Sequence, residues 1–222
     1  NSAYSFDGVD DYINLNWGST PSLSDIGNMQ WHGSISIWFK PDDDFTSHQT
    51  LVTRSNSRPG IHFGHLDDYK IGTHIHDMQN PYPIGSFGPM INQSQWHHAV
   101  ITWSSSNQSA LPQSGDGYGR AFLDGKEYQL TDADQFLDKI DSISSGSAME
   151  TNFTLGANFS DNENEYFFKG WLDDIRFYDK TLTETEIQAL YCENSWCGQQ
   201  EGLVAYYPFN GNANDASNNG ND

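Results

Sequence analysis

The chain has 222 residues, enough for one large β domain or two small ones, and it can bury a sizeable core. Aromatic residues make up 14% of it, so that core is expected to be rich in rings, as β-sandwich cores are. A formal net charge of -20 excludes nucleic acid and anionic membrane surfaces as partners, because their phosphates would be repelled.

Taken in order, nearly every periodic segment reads as strand. Ala3–Phe6 alternates and Tyr12–Leu15 resumes after an acidic turn. Ser34–Lys40 alternates cleanly, with Ile35, Ile37 and Phe39 on one face and Ser34, Ser36, Trp38 and Lys40 on the other. Thr50–Arg54, Gly60–His65, Lys70–His76 and Trp96–Trp103 follow. Gly119–Leu123 runs into Asp124-Gly125, a hairpin turn pair, and Glu127–Leu130 returns from it. Asn152–Gly156 and Tyr166–Tyr178 complete the set. Many short strands with turn signals between them predict a two-sheet antiparallel sandwich. One helix stands out: Thr183-Glu184-Thr185-Glu186 is a capping box, and Ile187, Leu190 and Tyr191 form an apolar stripe. It is expected to lie against one end of the sandwich. Ser104–Gly117 and Asp132–Ala148 read as polar excursions.

No run approaches the roughly 18–20 apolar residues of a membrane helix, so no direct membrane insertion is expected. The start lacks the basic-then-apolar pattern of a signal peptide, and it opens inside a strand pattern, as a piece of a longer polypeptide would. Cys192 and Cys197 are the only cysteines, with four residues between them in a loop-like stretch. They read as a small disulfide ring in an oxidising compartment, the alternative being two free thiols.

Two acidic stretches carry the metal reading. Asp7, Asp10 and Asp11 sit on a turn built around Gly8, and Gly170, Asp173 and Asp174 recur in the late strand. Hard carboxylate and carbonyl oxygens suit calcium, which takes about six to eight of them. If Ile175 and Phe177 face the core, strand parity turns Asp173 inward, where a lone carboxylate would be costly without a partner. The expectation is one calcium ion shared by both stretches; the alternative is hydrogen-bonded turn formers. His74 and His76 lie two apart on one strand, with Asp77 next and His62 and His65 nearby, a pattern that can hold zinc or can simply face solvent.

Exposed aromatics stack on pyranose faces, and Asn or carboxylate groups bond sugar hydroxyls. Tyr69, Phe87, Asn80 and Tyr82 are the candidates, the last two in a Pro-braced loop. Asp161 and Glu163 form a second acidic cluster, either a rim site or a solvated loop. The Glu-x-Asp-x-x-Glu spacing of sandwich glycosidases is missing, as are nucleophile elbows and phosphate loops, so no catalytic residue is assigned.

The segments FDGVDDYI (6–13), SISIWFKP (34–41), WHHAVITW (96–103), AFLDGKE (121–127) and KGWLDDIRFYDKTL (169–182) then resemble, in order, the strands of bacterial laminin-G-like domains of the concanavalin A-like lectin/glucanase superfamily. The resemblance covers about residues 2 to 191. It implies an all-β, two-sheet antiparallel jelly-roll sandwich with one short C-terminal helix, and a structural calcium near the acidic turn. It also implies an extracellular or cell-surface module that recognises carbohydrate or glycoprotein.

The tail departs from that pattern. GLVAYYPFNGNAND (202–215) resembles the strand that ordinarily begins such a domain. Residues 1–191 are therefore read as the jelly roll, 192–201 as a connector, and 202–222 as a displaced first strand. That strand would fill the vacant slot in its own domain or in an adjacent copy, because an uncovered sheet edge invites pairing. Exchange between copies would link them head to tail, as in a filament.

Overall fold

The structure, a computed structural model, describes residues 3–15, 32–43, 49–54, 60–67, 70–76, 84–87, 89–104, 119–128, 153–158, 166–192, 203–207, 209 and 211–215. The first sheet contains β1 (Tyr4–Asp7), β3 (His32–Pro41), β8 (His97–Ser104), β9 (Gly119–Leu123), β10 (Lys126–Tyr128), β12 (Lys169–Tyr178) and β13 (Leu203–Tyr207). Its order is β1-β12-β3-β8-β9-β10, with β13 also on β12. The second sheet runs β2-β11-β4-β5-β6-β7. Its strands are β2 (Ile13–Leu15), β4 (Gln49–Arg54), β5 (Gly60–Asp67), β6 (Lys70–His76), β7 (Ile84–Phe87) and β11 (Phe153–Leu155). All the pairings are antiparallel, as the resemblance implies.

The core between the sheets is built from alternate residues: Ile35, Ile37 and Phe39 of β3, Ala99 and Ile101 of β8, Phe153 and Leu155 of β11. It is ring-rich, with Phe153 and Phe177 4.8 Å apart. At the β9–β10 hairpin, Asp124 and Gly125 both take positive φ (51 and 74), the conformation a two-residue primed turn needs.

Three expectations change. The helix α1 (Glu184–Tyr191) is capped as expected, with Thr183 Oγ1 accepting from Glu186 N and Glu186 Oε2 from Thr183 N. It lies on the outer face of the first sheet, however, and not against one end. There Ile187 and Leu190 join Val100, Phe122, Tyr178 and Leu182 in a second core. Ser34 and Ser36, on the face opposite Ile35 and Ile37, are buried beneath this layer. Ser34 is satisfied by donating to Lys180 O and accepting from Leu182 N. The second change is β7, which is not among the strands read from the sequence; it pairs with β6 at one end of the second sheet's strand order.

The third change is in β12. Its register against β3 shifts between Asp173 and Arg176, and Asp174 has φ 47. This bulge inserts an extra residue and resets strand parity. Leu172, Ile175 and Phe177 are all buried as a result, while Asp173 and Asp174 stay half-buried. Parity along an unbroken strand would have turned Asp173 inward; the bulge removes that constraint.

Candidate functional site

β1 delivers the acidic turn. Phe6 anchors it, 3% exposed and 6.2 Å from the ring of Phe168. Beyond it Asp7 Oδ1 accepts from Val9 N (2.8 Å) and Asp10 N (3.4 Å), and Asp11 Oδ2 accepts from Asp7 N (2.9 Å). Gly8 has φ 80, and a Cβ there would stand 2.9 Å from Lys169 Cβ, so both conformation and space demand glycine. The turn thereby folds Asp7, Asp10 and Asp11 toward one point. One carboxylate oxygen from each lies within 4.8 Å of the others, and all three residues are exposed. Lys169 sits beside the turn and pairs with Asp42 at 3.8 Å. Asp42 is held below its usual carboxylate range chiefly by the N–H of Asp43.

The donor set fits calcium in kind, since the triad offers only hard oxygens and two of its six are engaged by backbone N–H groups. Calcium there would draw further oxygens from backbone or water. Next to the triad, Val9 is 69% and Tyr12 49% exposed, which sets a ring surface beside the acidic turn. Tyr12 was read only as a strand residue; its position at the edge of a short strand is what the sequence could not give.

The structure does not bring Asp173 and Asp174 to this turn. Asp7 is paired with Lys169, four residues before Asp173, a strand distance of roughly 13 Å. Among the described residues they join no three-carboxylate group with Asp7, Asp10 and Asp11. Gly170 pairs with Phe6 and Pro41 and has a packing role, since a Cβ on it would clash with Lys40 O.

Asp174 serves the tail instead. β13 pairs with β12 in the same chain, Tyr207 opposite Ile175 and Tyr206 opposite Arg176. Tyr206 Oη donates to Asp174 Oδ1 (2.8 Å), and Arg176 lies 4.6 Å over the Tyr206 ring and 3.6 Å from Asp174. Burial works against the Arg176 charge, but the bond to Tyr206 and the Asp174 carboxylate hold its pKa above the usual value.

A second polar cluster lies at the start of β8, where His97 sits on the core side beside Phe39 and His98 on the side that Tyr191 of α1 covers. His97 Nδ1 lies 2.8 Å from Asp124 Oδ2 and its Nε2 3.0 Å from Asn92 O, two acceptors that together suit the protonated ring. Burial opposes its charge, yet these bonds outweigh burial and raise its pKa. Its neighbour His98 faces the other way, bonded to Ser36 Oγ (2.8 Å) and stacked on Trp38. Burial, helped by the Arg176 charge, pushes His98 down to about 3. Neither histidine reaches the surface as a ligand group.

Of the expected ligand-binding residues, Tyr69, Asn80, Tyr82, Asp161 and Glu163 lie outside the described residues. Phe87 lies in β7, where it is the register partner of Ile71. Cys192 follows α1 as its C-cap and is exposed with a free thiol; Cys197, its expected disulfide partner, lies outside the described residues.

The model of the laminin-G-type concanavalin A-like lectin/glucanases superfamily matches residues 7–188, and the chain belongs to that family. No curated protein sequence matches it significantly. Among solved structures it is similar to the Ruminococcus gnavus IT-sialidase CBM40 bound to α2,3-sialyllactose, with TM-score 0.61 and 14% identity, over 86% of this chain and 97% of that one. A heptameric SAP-like pentraxin from Limulus polyphemus gives TM-score 0.56 at 14% identity, over 87% and 83%. A candidate carbohydrate-binding protein from Bacteroides ovatus gives 0.62 at 16% identity, over 96% of this chain and 55% of that one. At these identities the likeness establishes the sandwich fold.

Proposed function

We propose that this domain is a non-catalytic, calcium-stabilised recognition module that binds carbohydrate or glycoprotein outside the cell. The observation that carries the reading is the exposed triad of Asp7, Asp10 and Asp11 with Tyr12 beside it. An ion held by three carboxylates keeps further positions for oxygens, and a neighbouring ring offers a stacking surface for a sugar. Support also comes from the fold neighbours, one of them a sialidase module bound to sialyllactose. An extracellular location fits the acidic, well-solvated surface; among the described residues no helix is long and apolar enough to cross a membrane.

A glycan array with and without calcium tests the reading. Calcium-dependent binding that the D7N/D10N/D11N variant loses is the expected result, and silence under both conditions counts against carbohydrate. Calcium at about 100 times its Kd is expected to add about 2.7 kcal/mol of stability, seen as a rise in Tm. A melting temperature that chelation leaves unchanged would remove calcium from the proposal.

A second reading is a structural repeat linked through residues 202–222. It is favoured by β13, which occupies the edge of β12 and could do so equally on an adjacent copy. Light scattering across a concentration series separates the two: a monomer at all concentrations speaks against exchange between copies.

A further inference from the structure

The side chains of His62, His65, His74, His76 and Asp77 lie outside the described residues. His97, by contrast, has its surroundings fixed, and the function above leaves it unused. Its ring bridges two segments: Nδ1 faces Asp124 Oδ2 in the β9–β10 turn, and Nε2 faces Asn92 O in the segment 89–96 that leads into β8. A carbonyl oxygen can only accept, and so can an ionised carboxylate. Burial works against the Asp124 charge, yet the bonds from His97 and from His98 N–H hold its carboxyl low. Both contacts of His97 are therefore hydrogen bonds only while both ring nitrogens carry protons. A neutral ring keeps one of them. On Nε2 it would leave the Nδ1 lone pair against the Asp124 carboxylate; on Nδ1 it keeps a charge-assisted bond and leaves a lone pair against a neutral carbonyl. The second arrangement costs less, so Asn92 is the contact that deprotonation breaks.

The two sides of the bridge are held unequally. On the turn side Asp124 N donates to His98 O (2.8 Å), Asp124 Oδ1 accepts from His98 N (2.9 Å), and Gln188 Nε2 of α1 donates to Gly125 O. On the other side the segment is anchored by buried Ile91 and by Ser94 N donating to Pro41 O (2.8 Å), and the His97 contact falls between these anchors. Met90 and Trp96, 61% and 41% exposed, flank it. The segment shares its end of the first sheet with the acidic turn: Pro41 pairs with Gly170, next to Lys169, the partner of Asp7. Among the described residues the charged group facing His97 is Asp124. β3 presents Phe39, segment 89–96 presents the Asn92 carbonyl, and His98 faces the opposite side beside Tyr191, neutral down to about pH 3.

We propose that His97 is a proton-operated pin between segment 89–96 and the β9–β10 turn, closed by the doubly protonated ring and opened at Asn92 when one proton leaves. Burial opposes the His97 charge, but its two bonds outweigh burial and raise its pKa, so the pin opens as pH rises through that raised value. Nitrogen-15 NMR of the full chain from about pH 5.5 to 8.5 tests it, with amide exchange corrected for its intrinsic pH dependence. The ring is expected to titrate above about 6.5 and to keep its proton on Nδ1 beyond the midpoint. Exchange of the Ser94 amide should rise roughly three- to tenfold through the same midpoint, the worth of one hydrogen bond, while the Asp124 amide does not follow. In H97Q the Ser94 step should vanish, and in D124N it should move to lower pH together with the ring. The parent titration stands without either variant if one fails to fold. A ring midpoint at or below about 6.5, a proton kept on Nε2, no Ser94 step in the parent, or a step that persists in H97Q would each overturn the proposal.

Discussion

Along the edge of β12 that β3 does not use, β1 and β13 lie end to end, and they are held in different ways. β13 is fixed by burial: Val204, Ala205 and Tyr207, with Phe209 just beyond, all enter the core. β1 buries only Phe6, and its other three residues are exposed. What β1 has instead is the acidic turn at its end. The Asp173-Asp174 bulge sits at the junction, where Asp174 holds Tyr206, and Phe209 meets Tyr4 with ring centroids 5.0 Å apart. One half of the edge is therefore fastened by packing and the other is open to fastening by an ion. The difference sets a packed seam beside an exposed acidic turn along a single strand, and the proposed ion belongs to the second.

Removing residues 202–222 should have the largest effect. Four core side chains are lost and Ile175 and Phe177 are uncovered, on the order of 5–10 kcal/mol, comparable with the whole stability of a typical domain. Loss of a cooperative thermal transition is expected; a truncated chain that melts like the parent would break the comparison. Within the two halves, Phe209→Ala should cost about 3–5 kcal/mol as a core truncation. Tyr4→Ala, with Tyr4 39% exposed, should cost about 1 kcal/mol, roughly its ring pairing. Equal losses in denaturant titrations would show that packing does not distinguish the halves. Tyr206→Phe leaves Asp174 without its hydroxyl donor, a loss of about 1.5–3 kcal/mol by the same measurement.

The β13 half should also respond to acid. His98 lies near Arg176 and stays neutral when folded down to about pH 3, while an unfolded histidine protonates near about 6.5. Its contribution is complete above about pH 6.5 and is lost on acidification at up to roughly 1.4 kcal/mol per pH unit, because only the unfolded state gains the proton. His97 has the opposite sign. Its folded pKa is raised, so its stabilisation is full below about 6.5 and is lost as pH rises through the folded value. Asp124, held low by the bond from His97 and the His98 N–H despite its burial, keeps its contribution until the pH falls through that lowered value. Stability of the parent and of H98N, measured from pH 4 to 8, should differ in slope on the acid side; parallel curves would contradict the assignment.

Much of this architecture is legible in the sequence because local chemistry and tertiary need agree. Period-two alternation around Ile35, Ile37 and Phe39 marks a strand wherever it lies, and Asp124-Gly125 and the Thr183 capping box announce their turn and helix start. The acidic triad is equally local: Asp7, Asp10 and Asp11 are drawn together by hydrogen bonds spanning only two to four residues. What failed depended on partners distant in the chain. The outer face of β3 could not be seen to be covered until the helix arrived from about 150 residues away, with Ser34 bonded to Lys180 and Leu182. Asp173 and Asp174 were misassigned because a bulge breaks the parity on which strand reading relies.

By itself, then, the sequence determined the class of fold, the strands other than β7, the helix cap and the clustering of the acidic turn, since each is set by residues within a few positions of one another. Tertiary structure alone decided that the tail pairs with its own β12, that Asp174 belongs to that seam, and that His62 stands across from His74. Those are matters of register, and register is fixed by which long-range pairing buries the most apolar surface, a quantity no local window contains.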